Sequence, residues 1–525
     1  MKNTRRDFIK QASVAAAALV VPQRGVFLTP LSPNNPQGAD AFFKDVCILA
    51  LDAARAARAT YADVRIVNRR DQLVSVRDSE VEESTDSDSL GIGVRVLVDG
   101  VWGFASSEDV TRGNGRLMAE EAVRRARSNS EPTSVSVELA PVDAYPSGIW
   151  QSPISRDPFA VPVSEKVELL QTANNAALRI ASIRSAFSFL SFVREEKTFA
   201  STDGSVIAQT VYRSWPSLTV TTIPSDWADA LHRSTHAIAP MGLGYEHVVS
   251  ANLPESAREL AIEAVRGLTA QPVEPGEYDL ILDPTNLKYV IHETIGQATE
   301  LDRALGSPLL GYPEDVIGKL QFGPEFMNVL CDRTQRGGLA TVGWDDEGVP
   351  QDSWQVIRDG TFVDYQTSRE NAGLIAHLTG MERSHGCAAA ESWQYMPLQR
   401  MPNVSLLPGE NDYGVDDLIA STDRGIYVTG AGARSFDRAT NTFQFSGESF
   451  YEIQNGRIVG QLRDVAYEGT TLDFWNSLDA LGGPDSYVLG GILDDVKGEP
   501  VQKHVVSHGC PPARFRQCSV VNTSG

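Results

Sequence analysis

The adjacent pair His292-Glu293 is where this sequence could begin proton-transfer or metal chemistry. A helical metal site that activates water needs one histidine, a glutamate to take a proton from the bound water, and a second histidine on the same face. Four residues beyond His292 stands Gly296, and five beyond stands Gln297, so the second imidazole is missing. At about 100° per residue, Glu293, Gln297 and Glu300 are expected to share one helix face, with His292 turned roughly 100° away. On spacing alone, the pair is expected to fill a buried or capping role. Among the other candidates, His504 and His508 in His-Val-Val-Ser-His would share one face of a strand or a helix. His377 and His385 flank a Gly-Met-Glu-Arg turn, Asp494-Asp495 reads as a solvated turn, and Cys387 reads as a small apolar residue. The sequence has no Gly-x-Ser-x-Gly elbow, no Gly-x-x-x-x-Gly-Lys phosphate loop and no Cys-x-x-Cys. Gly430-Ala-Gly432-Ala lacks the third glycine of a dinucleotide site.

Several elements must position these residues. A short strand ending at Leu282, then Asp283 as N-cap and Pro284 at the first helical position, place His292 and Glu293 inside a helix. Val46, Leu49, Ala50, Ala53 and Ala57 recur at helical spacing within Lys44 to Ala59, and Ala119, Ala122, Val123 and Ala126 mark a second helix. Between these, Tyr61 to Ser107 carries strand patterning with a hairpin turn at Asp99-Gly100. Further strands run from Ser185 to Ile223 and fold back at Asp203-Gly204. Asp359-Gly360 and Asn455-Gly456 mark later hairpins. The proline-rich stretch from Pro132 to Pro162 reads as an extended surface connection. After a helix near Glu255 to Leu268, Pro272 and Pro275-Gly276 give the best boundary. The expected architecture is α+β: 1–39 a leader and linker, 40–268 and 269–525 two antiparallel-sheet-rich domains with flanking helices, the second holding the His-Glu helix.

With 46 Lys and Arg against 68 Asp and Glu, the net charge is −22, which argues against a nucleic-acid partner. No apolar stretch is long enough for a membrane-spanning helix. The start, Arg5-Arg6-Asp-Phe8-Ile-Lys10 followed by the apolar run Ala12 to Val21, has the layout of a twin-arginine export signal, which implies a periplasmic or exported protein. Five cysteines do not make a disulfide framework, and export in the folded state weakens any pairing of Cys510 with Cys518.

Taken together, Tyr61-Ala-Asp-Val-Arg65, the Gly91 to Phe104 run, the His292-Glu293 helix ending in Glu300-Leu-Asp302-Arg, Asp345-Asp-Glu-Gly348-Val-Pro350, Met396 to Asn403 and Val506 to Phe515 resemble the TldD/PmbA family of metallopeptidases over essentially the whole chain after the leader. In that family the helix looks like His-Glu-x-x-x-His. The resemblance implies that both histidines and a cysteine near the C-terminus bind zinc or another divalent metal, with the glutamate as base. Mapped here, the metal positions are His292, Gln297 and Asp495, and the catalytic position is Glu293. An amide and a carboxylate replace imidazole and thiolate, which should weaken zinc strongly, whereas oxygen donors could favour a harder ion or leave the site without a metal. The resemblance implies a peptide substrate and a homodimer or a heterodimer with a sister chain. Two expectations follow: an exported peptidase of altered ligation, or a non-catalytic subunit of a two-chain protease.

Overall fold

Two large sheets dominate the protein. The computed structural model describes residues 36–129, 136–223 and 231–524, and the leader with its Arg5-Arg6 pair lies outside them. The fold is α+β with antiparallel-rich sheets, described here for the unit from Phe43 onward.

The first sheet has seven strands, built around a meander of Val101–Ser107, Glu80–Val98, Tyr61–Arg77, Ile183–Ser201 and Val206–Thr222. The Asp99-Gly100 turn falls where the sequence places it, with φ of 49° and 78°, the paired positive values that a two-residue hairpin demands. Helices Val163–Leu178 and Leu253–Gly267 lie on this sheet through Leu170, Ala173, Ala177, Ala257, Ala261 and Ala264, all buried. Their alanines let helix and sheet backbones approach closely.

The second sheet has ten strands. The strand Gly276–Leu282 sits at its centre, antiparallel to Ala513–Asn522 and parallel to Arg424–Thr429, while Arg434–Asp437 forms one edge. Asp283 caps the helix Pro284–Ile291, its carboxylate accepting from Thr285 N at 2.8 Å. Leu287, Val290, Ile291 and Ile295 of this segment are fully buried, each worth about 1.5–3 kcal/mol relative to exposure. The Asp345-Asp346-Glu347 turn, which follows the strand Val329–Asp332, is tied to the first sheet. Arg95 of the first sheet binds Asp63 at 2.6 Å and Glu347 at 3.1 Å, and Lys197 binds Asp346 at 2.6 Å. Each of these charges has partners, as burial requires.

Three expectations need correction. The first helix buries Val46, Cys47, Ala50, Leu51 and Ala54, so its inward face is rotated from the expected one, leaving Leu49 and Ala53 half-buried. Within the proline-rich connection, Gly148–Gln151 joins the first sheet, parallel to Ile207–Thr210, because its unpaired backbone groups find partners there. Asp494-Asp495 is not a solvated turn. The pair lies in the strand Val488–Lys497, where an irregularity between Ile492 and Asp495 leaves Asp494 exposed and turns Asp495 inward opposite His504.

Candidate functional site

After Ile291 the helix widens. From His292 to Gly296 it makes a π-helical turn, closed by Gln297 N donating to His292 O at 2.9 Å. A π turn sets residues five apart on the same side. His292 therefore does not point away from Gln297, as α-helical spacing predicts: their side chains meet, with Gln297 Nε2 3.1 Å from His292 Nε2. Asp495 arrives from the C-terminal hairpin, Val488–Lys497 against Gln502–Cys510, and its Oδ1 lies 3.7 Å from His292 Nε2. The structure thus brings His292, Gln297 and Asp495 together, all of them buried. Glu293, adjacent to them, is half-buried and makes no hydrogen bond or ion pair with a described residue. Burial raises its carboxyl pKa despite the nearby arginines.

Spacing did not reveal the surroundings of this trio. His508 Nε2 stands 2.9 Å from His292 Nδ1, and His508 Nδ1 stands 2.8 Å from Val404 O. Arg438 donates to Gln297 Oε1. A guanidinium can only donate and a carbonyl can only accept, so the two ends fix the direction of every bond between them. Arg438 donates to Gln297, the Gln297 amide to His292 Nε2, His292 Nδ1–H to His508 Nε2, and His508 Nδ1–H to Val404 O. Both imidazoles are therefore neutral. Burial first, with neighbouring arginines adding for His292 and the His292 ring for His508, pushes both pKa values down to about 3. His504, on the same strand face, bonds Met401 O at 3.2 Å and takes no part in the chain. The His-Val-Val-Ser-His spacing was the available signal for His508; nothing local marked Arg438.

Guanidiniums also hold the acids. Arg400, 2% exposed, donates to Asp495 Oδ2 at 2.8 Å and to Asp495 O at 2.6 Å. Glu300, fully buried, is paired with Arg303 and with Lys497 at 3.1 Å, and Lys497 also reaches Asp302 at 2.7 Å. The Glu300-Leu-Asp302 motif is thus an ionic clamp between the His-Glu segment and the C-terminal hairpin.

The donors do not fit zinc well. Two ligands bound at roughly 2.0–2.2 Å to one ion stand about 3.4 Å apart in a tetrahedron, close to the separation of His292 Nε2 and Asp495 Oδ1. Asp495 Oδ1 is buried without a hydrogen bond. A third donor is lacking, because Gln297 Oε1 is occupied by Arg438 and the amide N–H covers the His292 lone pair. Among the described residues, no three His, Cys, Asp or Glu side chains converge as a metal site. Cys387, Cys510 and Cys518 are buried and unpaired, as are Cys47 and Cys331, and none replaces the thiolate.

Three models of one family match in succession. These are PmbA/TldA metallopeptidase domain 1 over residues 62–130, the central domain over 156–270 and the C-terminal domain over 275–522. A metalloprotease of Methanothermobacter thermautotrophicus is 28% identical over 469 residues, covering 89% of this chain and 96% of that protein. A metalloprotease TldD homolog of Haemophilus influenzae is 24% identical, covering 88% and 93%. In fold, the chain resembles TldE from Thermococcus kodakarensis, with a TM-score of 0.68, 16% identity and coverage of 90% and 98%. With the three family domains matched in order and relatives aligned over nearly their full length, the chain belongs to the TldD/PmbA metallopeptidase family.

Proposed function

We propose that this chain is a peptide-handling, non-catalytic member of its family, which pairs with a metal-bearing sister to enclose unstructured peptide. The observation that carries this reading is the occupation of the ligand positions. Arg438 sits on Gln297, Arg400 sits on Asp495, and the Gln297 amide covers the His292 nitrogen. Positive charge supplied by side chains stands where a metal ion would otherwise balance the carboxylate. Without acidified water, Glu293 has no proton of suitable acidity to remove at neutral pH. What the chain's own residues do is hold the helix, the hairpin and the arginines in one rigid wall beside Glu293.

A peptidase of altered ligation is the second reading, and one observation favours it. Asp495 Oδ1 is orphaned, and its distance from His292 Nε2 suits a shared cation. Cleavage of an unstructured peptide separates the two. The non-catalytic reading predicts no turnover by the lone chain, and turnover with a co-exported sister that survives Glu293→Gln. Turnover by the lone chain, abolished by Glu293→Gln, contradicts it.

We also propose that the protein acts outside the cytoplasm, on the strength of Arg5-Arg6 and the apolar run behind it. Replacing both arginines by lysine should strand the full-length precursor in the cytoplasm. Unchanged export of that variant would refute this.

A further inference from the structure

Tyr289, Glu293 and Gln297 succeed one another at four-residue intervals along the His-Glu segment, and the edge strand Arg434–Asp437 runs beside it. Arg434 and the inward-packed Phe436 alternate with the exposed Ser435 and Asp437, so Arg434 shares the inward face of the strand, and Arg438 follows directly after its end. The Arg434 guanidinium lies 4.2 Å from the Tyr289 ring centroid, and Arg438 reaches Gln297. Their positions therefore straddle Glu293, which neither approaches within ion-pair distance. The Arg434 side chain makes no hydrogen bond or ion pair with any described residue, and the Arg438 guanidinium bonds only a neutral amide. Lys288, 3% exposed, adds a third cation: its Nζ is 5.1 Å from the same Tyr289 ring and bonds no described acceptor. The other cations of this wall, Arg303, Arg400 and Lys497, are already neutralised by Glu300, Asp495 and Asp302. On the acidic side, Glu293 and the exposed Asp494 face the cluster, Asp283 acts on Lys288, and Glu448 stands 3.1 Å from His236. Two guanidiniums without a carboxylate partner thus flank one half-buried carboxylate at a sheet edge.

We infer that the Arg434–Arg438 pair is a carboxylate-binding site, which anchors an unstructured peptide by its C-terminal carboxylate or by an acidic side chain. Guanidinium recognises carboxylate through paired, charge-assisted hydrogen bonds, and the stacking of Arg434 on Tyr289 holds one fork in place. This inference rests on the peptide-handling reading and adds the chemical class of the ligand.

The test is fluorescence anisotropy with the purified full chain in chelator. The probes are a labelled unstructured decapeptide of Gly, Ser and Ala as the free acid, its C-terminal amide, and the amide carrying one internal Asp. The free acid should bind about tenfold or more tightly than the plain amide, as the loss of a charge-assisted contact implies. Binding of the internal-Asp amide at the level of the free acid assigns the site to side-chain carboxylates; binding at the level of the plain amide assigns it to the terminus. Arg434→Gln with Arg438→Gln should abolish the preference, and Arg434→Lys should retain part of it. Equal binding of all three probes, or a preference that survives the double substitution, overturns the carboxylate site while leaving peptide handling standing. Absence of binding by every probe overturns both.

Discussion

Removing the Asp495 side chain should destabilise the protein even when no metal is present. Asp495 is fully buried and faces Arg400, which is 2% exposed, so Asp495→Ala leaves a guanidinium in the interior without its carboxylate. Breaking a buried pair from one side costs about 3–5 kcal/mol. Two features reduce the expected loss. Arg400 keeps the carbonyl oxygens of Asp495 at 2.6 Å and Gln502 at 3.0 Å, and the unsatisfied Oδ1 disappears with the side chain. Relief of one unsatisfied buried acceptor returns about 1 kcal/mol, which leaves roughly 2–4 kcal/mol. Asp495→Asn preserves an acceptor for Arg400 but not the charge, and should cost about half as much. Urea unfolding followed by tryptophan fluorescence in chelator should order the midpoints as Ala variant, Asn variant, wild type. If the Ala variant unfolds at the wild-type midpoint in chelator and falls behind only when zinc is supplied, Asp495 serves as a ligand and its role as the counter-ion of Arg400 is refuted.

Three further outcomes are expected. His385 lies between Asp352 at 2.7 Å and Asp364 at 3.2 Å and stacks on Trp354; burial alone would lower its pKa, but the two carboxylate hydrogen bonds prevail and raise it. A raised folded-state pKa contributes stability that is complete below the unfolded value of about 6.5 and is lost as pH rises through the folded value. The stability gap between wild type and His385→Gln should therefore be larger at pH 5.5 than at pH 9, and a gap independent of pH refutes the assignment. Gly296→Ala should cost about 1–3 kcal/mol in thermal or urea unfolding, because its Cβ would stand 2.5 Å from Met401 Sδ and 3.5 Å from His508 Cε1. Gln297→His combined with Arg438→Ala should raise zinc affinity by about tenfold or more in a chelator competition, since an imidazole replaces the amide and the competing guanidinium is gone.

Much of the scaffold was legible because its signals are local. Asp99-Gly100, Asp359-Gly360 and Asn455-Gly456 need positive φ at both residues, and few sequences other than these tolerate it. Asp283-Pro284 likewise announced the start of the His-Glu helix. Residue type singled out His292-Glu293, and the family resemblance added Gln297 and Asp495 as metal positions, whereas α-helical geometry alone turned His292 away from Gln297. The π turn that unites them gives no plain signal in Thr294-Ile295-Gly296, since it is held by tertiary contacts such as Gln366 Nε2 donating to Gly296 O at 2.7 Å. The controlling arginines were not legible either. Arg400 and Arg438 lie more than a hundred residues from His292 in sequence, and only the meeting of separate strands and loops brings them to the site.

If side-chain charge stands in place of a metal ion, as proposed, the chain should hold no divalent ion tightly. Zinc and other divalent metals should be counted per chain by plasma mass spectrometry on the purified full chain, after dialysis with equimolar zinc and then against metal-free buffer. Far less than one ion per chain is expected, unchanged in His292→Ala. One tightly held ion per chain, lost in His292→Ala, would contradict it.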